Sequence, residues 1–132
     1  MTVFVDTSAF YGVLDRDDAN HEAARAAWER LLRGSAALLT SNYVLLETSA
    51  LVQHRLGVAA LRSFHQEVVP VLEVQWVTEA QHRAAVEALL TAARKKLSLV
   101  DCVSFQLMRD SGVREAFCFD KHFQEQGFGT IP

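Results

Sequence analysis

Residues 2–14 read TVFVDTSAFYGVL, and the fold turns on this stretch. Residues 2–6 are a short apolar run closed by an acid, the pattern of a strand buried on both faces. Thr7 and Ser8 follow, two residue types that cap helices, so the expectation is a strand over 2–6, a cap, and a helix from about 9 to 14. A strand covered on both faces calls for helices above and below a sheet, with parallel neighbours joined by crossovers.

The rest of the chain continues this alternation. Ala23, Ala27 and Leu31, with Ala24, Trp28 and Leu32, recur at i, i+4 spacing and predict a helix over 18–32 closed by Gly34. Residues 36–40 read as a strand. Asn42 is placed to cap a helix to about 56 that Gly57 ends, and a further helix is expected over 58–69. A third strand falls within 71–77. Thr78 and Gln81 have capping-box spacing and open a helix to about 96. Ser98 starts the next helix, to about 110, with Gly112 behind it. Residues 115–120 form another strand, a short helix follows, Gly127 breaks it, and residues 130–131 make a last edge strand. The predicted fold class is α/β, a three-layer α/β/α sandwich around a mainly parallel sheet. There is no repeat or linker, so residues 1–132 are expected to be a single domain.

Composition narrows the function classes. Half the residues are hydrophobic, enough for a core without disulfides or a structural metal. No apolar run approaches the ~20 residues of a membrane span, and the N-terminus has no basic segment of the secretory type, so the cytoplasm is the expected location. Cys102 and Cys118 have no metal-ligand spacing and sit in apolar surroundings, as small buried hydrophobes do. A formal net charge of −3 argues against nucleic-acid binding through a broad basic surface, though not against an enzyme that meets phosphate through bound metal.

Four acids have apolar neighbours: Asp6 ends TVFVD, Glu47 interrupts YVLLETSALV, Asp101 interrupts LSLVDCVSF, and Asp120 ends AFCFD. Two parallel strands that end in Asp would aim both side chains at the crevice beyond the strand carboxyl ends, where open α/β sheets bind ligands. Helices flanking that crevice can supply Glu47 and Asp101. Each acid also has an ordinary explanation. An Asp after a strand is a common turn or cap residue, and Asp101 stands three after Ser98, at capping-box spacing. Glu47 can face solvent, although Val44, Ala50 and Leu51 surround it at helical spacing.

Together, VFVDTSAF, SNYVLLETSALV, LSLVDCVSFQLMRDSGV and AFCFDKHFQEQGF span nearly the whole chain. In this order they resemble the PIN-domain family, particularly its VapC-type toxin ribonucleases. The resemblance implies that Asp6, Glu47, Asp101 and Asp120 are the catalytic, metal-binding acids, with Ser8 and Ser98 as supporting polar residues. Some relatives carry a further acid near the third position; Cys102 stands there in this chain. The implied function is a metal-dependent ribonuclease, the toxin of a bacterial toxin–antitoxin pair, using Mg²⁺ or Mn²⁺. Such hard ions prefer carboxylate oxygen, lower the pKa of bound water and neutralise charge on a phosphodiester. On this view Asp6 and Asp101 are direct ligands, and Glu47 and Asp120 bind a second ion or orient water. The implied partners are RNA, a small antitoxin and a second copy of the chain, with the apolar helices at 42–69 as interface material.

Other readings stay open. The basic runs Arg94-Lys95-Lys96 and Lys121-His122 can touch phosphate, or the first can simply end a helix. The histidines at 21, 54, 65 and 82 read as surface or packing residues, and Trp28 and Trp76 as core. The competing functions are a metal-dependent phosphatase or phosphoacceptor domain acting on a small substrate, and a catalytically inactive PIN-like interaction module. No phosphate-binding glycine loop of the GxxxxGK[ST] or GxGxxG type is present.

Overall fold

The computed structural model describes all of residues 1–132. TVFV forms strand β1 (Thr2–Val5), with Val3, Phe4 and Val5 fully buried. It is the centre of a five-stranded sheet in the order β3-β2-β1-β4-β5, with β2 at Ala37–Ser41, β3 at Glu73–Gln75, β4 at Glu115–Phe117 and β5 at Gly129–Ile131. Every pairing is parallel. The helices are α1 (Thr7–Leu14), α2 (His21–Arg33), α3 (Asn42–Leu56), α4 (Val58–Ser63), α5 (Glu79–Ala92), α6 (Leu99–Ser111) and α7 (His122–Glu125).

Parallel connections are right-handed. The steps β1 to β2 to β3 run one way along the sheet, which puts α1–α4 on one face. The steps β3 to β4 to β5 run the other way, which puts α5–α7 on the opposite face. The aromatic packing follows this division. Phe10 meets Phe64 at 5.3 Å and Trp28 at 6.4 Å on the first face. Phe123 meets Phe105 at 5.1 Å and Phe4 at 6.2 Å on the second. Gly12 lets α1 and α2 close on each other, since a Cβ there would come within 2.9 Å of the Ala24 Cβ.

Several local expectations shift. The cap of α1 is Asp6 rather than Thr7 or Ser8: its backbone is extended and its carboxylate accepts the Ser8 amide. Ser41, not Asn42, caps α3 by accepting from the Val44 amide, and Asn42 instead takes the Val77 amide. The helix expected from residue 18 begins at His21, and the one expected to reach 96 stops at Ala92. The helix expected over 58–69 is α only to Ser63. It widens into a π turn (Phe64–Val68) as Phe64 and Val68 enter the core, then passes into a 3-10 turn (Val69–Val71) that holds Pro70, which has no N–H for an α ladder. Gly57, at φ 91°, ends α3 as expected. Trp28 packs against the core, but Trp76, beyond the carboxyl end of β3, is 74% exposed. No helix is long and apolar enough to cross a membrane.

Candidate active site

The sheet order reverses between β1 and β4. From that point one crossover leads away through β2 and the other through β5. The crevice beyond their carboxyl ends is where such sheets bind ligands. It holds a cavity of about 660 Å³, floored by Asp6, Ser8 and Asp120 and walled by Glu47, Ser98 and Asp101. The structure therefore brings together all six residues singled out in the sequence, from α1, α3, the start of α6 and the segment after β4.

Asp6 leaves the sheet directly after β1, and its amide donates to the Phe117 carbonyl at 3.0 Å, which locks it against β4. One carboxylate oxygen accepts from the Ser8 amide at 3.1 Å and the Ser8 hydroxyl at 2.7 Å. The same hydroxyl accepts from the Phe119 amide at 2.9 Å. Ser8 thus ties the first acid to the segment that carries the fourth. Asp120 is not the last residue of a strand, as its sequence suggested. β4 ends at Phe117, and Asp120 stands in the following turn, with Oδ1 accepting from the His122 amide at 2.9 Å.

Asp101 sits at the first turn of α6 in a full capping box. Its carboxylate accepts from the Ser98 amide and its own amide donates to the Ser98 hydroxyl, both at 3.1 Å. Capping and a place in the crevice prove compatible, because a capping-box acid points back toward the helix start, and this helix starts at the crevice. Glu47, half-buried, comes from the middle of α3, which is fixed to α1 by a 3.0 Å bond from the Thr48 hydroxyl to that of Thr7.

Burial, with a smaller contribution from neighbouring charge, raises the proton affinity of the two buried acids. Burial, above all, pushes the Asp6 carboxyl from an ordinary 3.8 to about 7; the Ser8 bonds oppose the shift, and the charges of Asp101 and Glu47 add to it. Burial also raises Asp101, with the Asp120 charge adding and the Ser98 bonds opposing. The sign of the stability effect follows. Folded Asp6 binds its proton more tightly than unfolded Asp6, so its contribution is fully present below about pH 4 and is lost as pH rises toward 7. In the presence of a chelator the protein should melt at a higher temperature near pH 5.5 than near pH 8, and Asp6→Asn should flatten that difference. Melting curves at both pH values check this, and a parent melting temperature that rises with pH would contradict it.

The sequence read His54 only as a surface or packing residue, and it left Lys96 and His122, members of the two basic runs, open as phosphate contacts; the structure places all three. His54 lines the crevice, one helical face on from Glu47 through Ala50 and Leu51; that i, i+3, i+4, i+7 spacing was readable. Lys96 lines it too, and only the early end of α5 reveals that it sits in a loop. His122 is buried rather than free for phosphate: Nδ1 lies 2.9 Å from Glu125 Oε1 and Nε2 3.3 Å from the Lys96 carbonyl. Ligand-type atoms of Asp101, Asp120 and His122 all fall within 4.8 Å of one another, a possible metal-binding cluster.

Comparison with known proteins gives concordant results. The PIN domain family model matches residues 3–129. The 23S rRNA-specific endonuclease VapC20 of Mycobacterium tuberculosis, in two strains, is 34% identical over 130 residues, covering 98% of this chain and 97% of that protein. The crystal structure of VapC20, described as a sarcin-ricin loop cleaving toxin, superposes with a TM-score of 0.87 at 32% identity, covering 98% of this chain and 99% of that one. FitAcB from Neisseria gonorrhoeae shares the fold, with a TM-score of 0.70 at 15% identity over 100% of this chain and 97% of the other.

Proposed function

This chain belongs to the PIN-domain family, and from that premise we propose that residues 1–132 form one PIN-like domain acting as a metal-dependent endoribonuclease, the toxin of a bacterial toxin–antitoxin pair. The observation that carries the reading is the meeting of Asp6, Glu47, Asp101 and Asp120 in one crevice at the sheet's switch point.

The donor set fits Mg²⁺ or Mn²⁺. It is mostly carboxylate oxygen, which hard divalent ions prefer. The charges that raise Asp6 and Asp101 are an electrostatic cost that a cation removes. When bound, such ions acidify water and neutralise charge developing on the phosphodiester. Asp6 and Asp101, the two buried acids held in place by Ser8 and Ser98, would be the direct ligands. Glu47 and Asp120, the more exposed pair, would hold a second ion or orient the attacking water.

Purified chain freed of partners should cut 23S rRNA, or another species in total RNA, into discrete fragments only with Mg²⁺ or Mn²⁺. The same ions should raise its melting temperature: at a hundred times the dissociation constant, linkage adds about 2.7 kcal/mol. Turnover of small phosphate esters without RNA cleavage would instead indicate a phosphatase. Metal binding with no turnover of either would indicate an inactive PIN-like module.

The family reading also carries the cytoplasm as the place of action and two protein partners. A small antitoxin would lie along the apolar groove of Tyr43, Leu46, Ala50 and Val100, which meets the crevice at Glu47. A second copy of the chain would cover apolar surface such as Val58, 57% exposed at the start of α4.

A further inference from the structure

A crevice lined with carboxylates repels RNA. Bound ions offset that repulsion at the scissile phosphate, but the neighbouring phosphates must pass the same rim. The chain carries 13 Lys and Arg against 16 Asp and Glu, so any help must come from cations placed locally. Among the residues lining the crevice, Lys96 is the one Lys or Arg. The Lys and Arg ion pairs of the fold engage Arg25, Arg83 and Arg94, and Lys96 is in none of them. Its side chain stands exposed beside acids without being neutralised by one.

The loop that presents Lys96 is pinned on both sides. Leu97 is buried, and its amide donates to the Arg94 carbonyl at 3.2 Å, closing a tight turn over Lys95 and Lys96. The Lys96 carbonyl lies 3.3 Å from His122 Nε2, and Arg94 pairs with Glu125 of α7 at 3.4 Å. Two residues on, Ser98 caps α6 and holds Asp101. The backbone that aims Lys96 is thus joined to the backbone that aims two of the four acids. A cation on an ordered loop gives up less freedom on binding than one on a mobile segment.

We propose that Lys96 is a substrate-positioning residue whose ammonium takes an RNA phosphate next to the scissile one, on a loop ordered before RNA arrives. This rests on the ribonuclease reading and adds to it the contact that sets substrate register.

The test measures RNA binding by the Asp6→Asn chain, in which cutting is expected to be slowed by roughly a hundredfold or more, at fixed Mg²⁺ over a range of monovalent salt. Adding Lys96→Ala should weaken binding about tenfold at low salt. It should also make the plot of log affinity against log salt shallower by about 0.7, the loss of one phosphate contact on a single strand. Lys96→Arg should keep the parent slope, and Arg83→Ala, which breaks an exposed pair on α5, should change nothing. In the cutting enzyme, Lys96→Ala should raise KM by more than it lowers kcat. An unchanged slope with metal-dependent cleavage intact in the parent overturns the proposal alone. Weaker binding at unchanged slope, with a lower melting temperature, assigns Lys96 to structure and overturns it too. If the parent neither binds nor cuts RNA, the ribonuclease reading falls and takes this proposal with it.

Discussion

Asp6→Asn should yield a chain that folds at least as well as its parent without metal and cuts RNA more slowly by roughly a hundredfold or more. Both effects come from one charge. At pH 8 a group moved from 3.8 to about 7 is ionised in the fold less favourably than in the unfolded chain, at a cost on the order of 4 kcal/mol as an upper bound. Asparagine removes that cost and keeps an oxygen to accept from Ser8. It gives up the stronger, charge-assisted form of those bonds, so the net gain should be about 1–2 kcal/mol. The same change removes one of the two buried carboxylates that would hold the cation directly. Melting with a chelator and cleavage with Mn²⁺, run on the same two proteins, separate the effects. A variant that melts lower and still cuts would mean that Asp6 is a helix cap and little else.

Asp101→Asn is the sharper comparison, because this residue caps and lines the crevice at once. The amide oxygen can still accept from the Ser98 amide, so the cost in stability should be at most ~1 kcal/mol. Loss of the carboxylate charge should nonetheless reduce cleavage by roughly a hundredfold or more. Ser98→Ala provides the opposite case. It removes the hydroxyl that takes the Asp101 amide, costs about 1 kcal/mol and leaves the charge in place. If the cap were the whole role of Asp101, Ser98→Ala would be the more damaging change and Asp101→Asn would remain active. The melting temperatures and cleavage rates of the two variants decide between these outcomes.

Much of this was readable in the chain because the governing interactions are local. The TVFV run is a buried strand because no polar side chain interrupts it before Asp6. The caps at Thr78 with Gln81 and at Ser98 with Asp101 are formed as their three-residue spacing predicts, since a capping box closes within one helical turn. Local choices between equivalent neighbours were less legible. Asp6 caps α1 in place of Thr7 or Ser8 because its amide is already held by Phe117 of β4, a partner 111 residues away. Likewise β4 stops at Phe117, where its pairing with β1 and β5 ends, so Asp120 reaches the crevice from a turn.

By itself, then, the sequence determined the alternation of strands and helices, the parallel sheet this demands, and the acids too polar for their apolar surroundings. Periodicity, caps and burial cost act over a few residues, and a single chain displays them. Only the tertiary structure decided that the acids share a crevice, that Lys96 and His54 open onto it while His122 is buried behind it, and that Trp76 faces outward. Those outcomes depend on strand order. Placing β4 beside β1 brings the Asp120 turn to the crevice that holds Asp6, across more than a hundred residues of chain, and the burial of Asp6 beside the charges of Asp101 and Glu47 has no counterpart in the unfolded sequence.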